Sequence, residues 1–338
     1  MRRLGAVAAG LILVLGACAE DEAASYVGDR AFRRATLTSS LVNPDNAYSR
    51  LRLLRYATGD GEDWDALPEL NPPSAGLSLD DPDLGRAAFF RYPVQAAAPT
   101  IEAGVVEIEH PDGSRGRYLT CSSCHSRMVG GAVVPGLANQ QIDFGLGPGL
   151  VDVAPEAGNP PLLIPDLRVV GWQSHLHRAG AVKRTSTSAL AIRIETLIIT
   201  SHGGVLRPPR QLAWALARYL ESLAPASRDA ETRDRPGRAI FDRECASCHA
   251  WPSLAGPIYS TATMKTDPAA ALSSDRGTGG YRAPSLYGVA QRGRLPHDGS
   301  IHGLDEILSP GRPTSGHVFG CDLPPDELQA LRAFLELL

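Results

Sequence analysis

The pentapeptide Cys-x-x-Cys-His occurs twice in this chain, as Cys121-Ser122-Ser123-Cys124-His125 and as Cys245-Ala246-Ser247-Cys248-His249. Two thiols at this spacing, followed at once by an imidazole, form the attachment signature of c-type haem. The thiols add to the two vinyl groups, and the histidine reaches the iron from one face. A single copy would be compatible with chance or with a dithiol site. Two copies, each with its histidine, imply two covalently bound haems. Cys121, Cys124, Cys245 and Cys248 are then the attachment points, and His125 and His249 the proximal ligands.

The N-terminus places this chemistry outside the cytoplasm. Arg2 and Arg3 precede an apolar run from Leu4 to Leu15, which ends in Leu15-Gly16-Ala17-Cys18. A basic start, a short apolar stretch and small residues before the cut describe a secretory signal over residues 1–17. The cysteine after Leu-Gly-Ala looks like a bacterial lipoprotein box, with Cys18 as the lipidated first residue. More than one lipid chain meets the condition for stable membrane anchoring. Ala19 follows the pattern sorted to the outer membrane, so a periplasm-exposed lipoprotein of the outer membrane is expected. No later segment is apolar for long enough to cross a bilayer. The net charge of −4 supplies no polycation, which excludes nucleic acid as a partner. Of six cysteines, lipidation and thioether formation account for five and leave Cys321 over.

Internal similarity divides the remainder in two. Gly85-Arg86-Ala87-Ala88-Phe89-Phe90-Arg91 matches Gly237-Arg238-Ala239-Ile240-Phe241-Asp242-Arg243, and each leads to a haem box. Downstream, Pro165-Asp166-Leu167 and Pro284-Ser285-Leu286 begin stretches that reach Leu176 and Gly180, or Leu295 and Gly299, at equal spacing. The copies close on Ala215-Leu216-Ala217-Arg218-Tyr219-Leu220 and Ala330-Leu331-Arg332-Ala333-Phe334-Leu335. Leu212, Leu216, Tyr219, Leu220 and Leu223 share one helical face, as do Leu328, Leu331, Phe334, Leu335 and Leu338. The expected fold class is all-α: two loop-rich cytochrome c-like domains, at 81–228 and 229–338, behind an N-terminal extension at 18–80 to which no role is assigned.

The open question concerns the far side of each iron, because an open face permits chemistry and a closed one favours electron transfer. Beyond Met1 the chain has only Met128 and Met264. Met128 lies too close behind His125 to pass the ring, and Met264 has no counterpart in the first half. Histidine fits both halves. His202 precedes Ala215 by thirteen residues and His317 precedes Ala330 by thirteen, so duplication puts both in one slot before the closing helix. His202 and His317 are the candidate distal ligands. His297, whose column in the first half holds Arg178, suits a haem-edge contact. Arg178, Arg282 and Arg294 suit propionates or solvent, and Trp251 suits a porphyrin edge or the protein core.

From the helix at Gly237, through Ala283-Pro284-Ser285-Leu286-Tyr287-Gly288-Val289 and His297-Asp298-Gly299-Ser300, to Gly316-His317-Val318-Phe319-Gly320, the second half resembles the bacterial di-haem cytochrome c peroxidase superfamily. That superfamily includes the MauG-like enzymes and haem-containing rubber oxygenases. The resemblance spans about residues 80–338 and implies one haem that reacts with peroxide or oxygen and one that passes electrons. Three positions depart from the peroxidase pattern. Arg178 stands where a tryptophan lies between the haems, Gly311 lies near the place of a methionine, and Val169 replaces an asparagine that helps hold calcium. The Gly-His-x-Phe-Gly element is similar to the oxygenase-like branch, where a histidine closes the second haem.

Two functions therefore stand at the level of sequence. The first is electron transfer to or from an envelope redox partner through two low-spin haems. The alternative is a peroxidase-like oxidoreductase with an open first haem, assisted by a polar residue of the following loop (Gln140, Gln141 or Asp143). A third class, a zinc site or two redox disulfides, leaves His125 and His249 without a purpose and suits the long gap between the pairs poorly.

Overall fold

The computed structural model describes residues 82–97, 101–109, 113–151, 160–184, 186–201, 210–273, 277–312 and 316–338. Cys18, the extension to residue 80 and His202 lie outside them. Nine helices occur among the described residues: α1 (Pro82–Arg91), α2 (Cys121–His125), α3 (Thr187–Ser201), α4 (Arg210–Ser222), α5 (Asp229–Thr232), α6 (Pro236–Glu244), α7 (Thr261–Met264), α8 (Gly303–Ile307) and α9 (Pro325–Leu337).

The all-α expectation is overturned, because the fold mixes these helices with several small antiparallel sheets. A three-stranded sheet has the order β1 (Gln95–Ala96), β3 (Arg115–Leu119), β2 (Val105–Glu109) and fills the stretch between α1 and the first haem box. Just after that box, β4 (Ser126–Val129) and β5 (Ala132–Pro135) pair through Gly130 and Gly131. Both glycines have positive φ, 57° and 82°, the primed turn whose twist matches a two-residue hairpin. Most of the remaining strands are two residues long, too short to show an alternating pattern. Glycine-rich segments expected as loops form local hairpins instead.

Packing divides the described residues into two compact units, one from 82–123 with 187–219 and the other from 124–186 with 220–338. In the first, α1 crosses α4: a Cβ on Gly85 would lie inside contact distance of the Ala215 carbonyl and 2.7 Å from Tyr219 Cβ. Phe89 packs on Tyr219 with ring centroids 5.5 Å apart. In the second, α6 crosses α9 in the same way, with Gly237 against Ala330 and Phe334 and with Phe241 5.3 Å from Phe334. The matched residues of the duplication therefore make matched contacts. Ile240, Phe241, Leu331, Phe334, Leu335 and Leu338 form the centre of the second unit's core, where Val169 is also buried.

The middle segments repeat as well. Strands β6 (His175–Leu176) and β7 (Val182–Lys183) pair His175 with Lys183 and Leu176 with Val182, and strands β8 (Arg294–Leu295) and β9 (Ile301–His302) pair Arg294 with His302 and Leu295 with Ile301. These positions correspond one to one in the duplication. The two segments also exchange backbone bonds: Leu163 N–H donates to the His297 carbonyl at 2.8 Å, and Arg282 N–H to the Arg178 carbonyl at 3.1 Å. Leu163 and Arg282 are equivalent positions, as are Arg178 and His297, so the pair of bonds obeys a local two-fold relation inside the second unit.

The helix crossing is directly testable. Alanine exceeds glycine in helix propensity by about 1 kcal/mol, whereas forced overpacking typically costs about 1–3 kcal/mol. Contact with a backbone carbonyl gives the second effect the larger weight. Gly237→Ala is expected to lower stability by about 2 kcal/mol in denaturant unfolding; a neutral or stabilised variant would contradict the close crossing.

Candidate haem sites

The second box is a helical turn continuing α6. Cys248 and His249 N–H groups both donate to the Cys245 carbonyl, at 3.1 and 2.9 Å. This turn brings the two thiols and the imidazole together, and all three line one cavity. His249 Nδ1 is 3.0 Å from the Leu254 carbonyl. With Nδ1 held as a donor, Nε2 is the nitrogen left for a metal, the arrangement that orients a ligating histidine. Burial pushes the His249 ring down to about 4, aided by the nearby His317 ring, so it is neutral and able to ligate at neutral pH. Trp251 does not line the cavity. It packs on Phe241, receives Arg238 over its face at 4.1 Å and donates to Asp242.

His317 faces His249 with ring centroids 6.4 Å apart and ring planes at 57°. A metal bound by one nitrogen of each ring at about 2 Å places the two centroids roughly 6 Å apart, so the separation fits a single iron between them. The His317 Nδ1 is buried without a partner, and burial lowers this ring's pKa too. Its loop is fixed at several points. The His317 N–H donates to the Met264 carbonyl at 2.9 Å, and the Arg312 guanidinium donates to the carbonyls of Ile307, Gly316 and His317. Arg312 also touches the buried Cys321 sulfur at 3.1 Å. Gly316 has φ of 87° and lies where a Cβ would be 2.6 Å from Lys265 O and from Thr266 N, so glycine alone fits. His317 itself holds φ of 45°, an uncommon conformation for a non-glycine residue and one that recurs at functional sites.

The rest of the cavity suits a porphyrin. Ile164, Leu286, Val289, Leu295, Leu304 and Leu335 contribute apolar walls. Met264 lines the same space, and its carbonyl accepts from His317. His297 is buried and stacked on Tyr281 at 4.0 Å, a contact with the cavity wall rather than with the His249 ring. Cysteines, histidine pair and walls together fit a c-type haem at the second box.

At the first box, α2 carries Cys121, Cys124 and His125 in one turn. Ser123 and Thr120 anchor its start on the Gly104 carbonyl, each at 2.8 Å. His125 Nδ1 lies 3.1 Å from the Pro165 carbonyl, and burial pushes this ring down to about 4. Pro284, the duplicate of Pro165, presents its carbonyl to His249, so both proximal rings meet the same backbone position. The donor set fits a haem on its proximal side, and the distal candidate His202 lies outside the described residues. Burial pushes the Cys124 thiol up to about 11 and Cys245 up to about 12. A redox dithiol instead lowers a thiol pKa. Among the described residues no three His, Cys, Asp or Glu side chains gather into a metal cluster.

The loop candidates separate. Gln140 lines the cavity of the second box. The Gln141 backbone donates to Asn139. Asp143 accepts the N–H groups of Gly145 and Gly147 at 2.7 and 3.0 Å and thereby shapes its own turn. Sequence reasoning missed Asp166, which holds Arg168 at both carboxylate oxygens and reaches Arg292 at 3.5 Å. Its place in Pro-Asp-Leu-Arg was the signal, since Asp followed by Arg two residues later closes such a fork.

No family model matches the chain, and no curated protein matches it. Among solved structures, the crystal structure of a MauG-like protein associated with microbial copper homeostasis is similar to it. The likeness has a TM-score of 0.50 at 20% identity and covers 82% of this chain and 95% of that one. It shows a shared fold over most of the chain.

Ligation of the second iron by His317 rather than Met264 has a clear outcome. In the haem-loaded ferrous protein, His317→Ala should leave one iron five-coordinate and able to bind carbon monoxide, as followed in the Soret region, whereas Met264→Leu should not. The reverse pattern would assign the ligand to Met264.

Proposed function

We propose that this chain is a di-haem c-type cytochrome of the bacterial cell envelope that transfers electrons, its second haem closed by His249 and His317. The 6.4 Å approach of those two rings inside an apolar cavity carries the reading. Bound haem supplies the one-electron chemistry. The chain's own residues hold the ring, orient the proximal imidazole through the Leu254 carbonyl and fix the opposing one through Arg312 and Met264. These are the levers by which a protein sets a haem potential. We extend the reading to His202, which precedes Ala215 by the same thirteen residues that separate His317 from Ala330, as the ligand opposite His125, and to Cys18 as the lipid anchor at the outer membrane, where a redox partner would meet it.

The likeness in fold to a MauG-like protein favours a second reading, a peroxidase-like oxidoreductase in which the first iron keeps an open face. Two measurements on the purified protein decide. The pyridine haemochromogen assay is expected to give two haems per chain. Low-temperature EPR of the ferric protein is expected to show low-spin signals alone, with a high-spin signal appearing in His202→Ala. A high-spin signal in the wild type would favour the peroxidase-like reading, and a single haem would sink the di-haem reading. For the anchor, Cys18→Ser should abolish incorporation of labelled palmitate and release the protein from the membrane fraction; unchanged labelling would reject Cys18 as the lipidated residue.

A further inference from the structure

The cavity beside His249 and His317 has a charged wall that the axial ligands do not use. Arg178 and Arg282 both line it, and the Arg282 N–H to Arg178 carbonyl bond joins their segments. Arg178 Nη2 donates to the Leu163 and Ile164 carbonyls at 3.2 and 3.4 Å. Arg282 Nε donates to the His177 carbonyl at 2.7 Å. Beyond these carbonyls, Arg178 Nε and Arg282 Nη1 are buried with no hydrogen-bond partner.

No carboxylate among the described residues forms an ion pair with either guanidinium. Asp166 is taken by Arg168, at 2.6 Å, and by Arg292, at 3.5 Å. Arg292 Nη2 is further satisfied by the carbonyls of Ser285 and Tyr287. Arg294 donates to the carbonyls of Gly299 and Pro148. Arg178, Arg282 and Arg294 are thus the cavity arginines without an ion-pair partner, and of these three only Arg178 and Arg282 keep a buried guanidinium nitrogen with no hydrogen-bond partner. A guanidinium stays charged in proteins, and buried charges are normally paired. Burial together with the neighbouring positive charges pushes Arg282 down to about 9 and Arg178 down to about 10. An anion in the cavity relieves that crowding.

We propose that Arg178 and Arg282 clamp two carboxylates, and that these are the two propionates of the haem attached to the second box. The assignment rests on haem occupying that box. Two forked guanidiniums match two carboxylates in number and in geometry. The adjoining walls of Ile164, Leu286 and Leu295 suit the flat apolar body that carries propionates, whereas a small free dicarboxylate has no use for them.

The test uses the full-length haem-loaded protein, the Arg178→Gln/Arg282→Gln pair and the Arg178→Lys/Arg282→Lys pair. Haem content is counted first, and spectroelectrochemical titration then gives each midpoint potential, with and without succinate. The glutamine pair should keep two haems and shift one midpoint to a more negative potential, because propionate charge no longer offset by arginine favours the ferric state. The lysine pair retains the charges without the fork and should shift less. Should the glutamine pair fail to assemble, Arg282→Gln alone carries the same expectation. Two haems with unchanged potentials would overturn the clamp. A saturable succinate response in the wild type, absent from the glutamine pair, would reassign it to a free dicarboxylate. A wild-type protein with haem only on Cys121 and Cys124 would instead refute occupancy of the second box itself.

Discussion

The second haem box depends on the crossing of α6 and α9 at Gly237. Because glycine has no Cβ, the helix that ends in Cys245 lies directly on the backbone of Ala330. Phe241 and Phe334 then meet beneath the box. The turn carrying Cys248 and His249 starts from this rigid base, so the proximal imidazole is placed by helix packing rather than by loop conformation. The same crossing at Gly85 and Ala215 serves α1 and α4. A duplication that preserved the glycine, the small partner and the aromatic behind it preserved the means of positioning a haem.

The two histidines that face each other at the second box are held differently. His249 rests on a helix end, whereas His317 sits on an irregular loop held by Arg312, by the Met264 carbonyl and by close approach at Gly316. A ligand in a left-handed backbone conformation stays in place only when its surroundings over-determine it. Here three separate contacts do so. These contacts hold the His317 ring toward the cavity opposite His249, the arrangement on which the proposed electron-transfer function rests.

The boxes and the helix pairs were legible in the sequence, because each is a local pattern or a fixed offset. The small sheets escaped it: strands of two to five residues show little alternation, and only Gly130-Gly131 between Arg-Met-Val and Ala-Val-Val carried a hairpin signal. The position of Gln140 escaped for another reason. Its loop follows the first box in sequence but lines the cavity of the second, because residues 124–186 pack with 220–338. The same exchange brings Arg178 beside Arg282 across a gap of about a hundred residues, and no local pattern records such a meeting. Val169 is a core residue of the second unit.

The central claim is that two imidazoles close the second iron. Near-infrared magnetic circular dichroism of the ferric protein reads axial ligands directly, since bis-histidine and histidine–methionine haems give charge-transfer bands at distinct energies. A bis-histidine band from the second haem is the predicted result. A histidine–methionine band, or none from a low-spin iron at that site, would contradict the account.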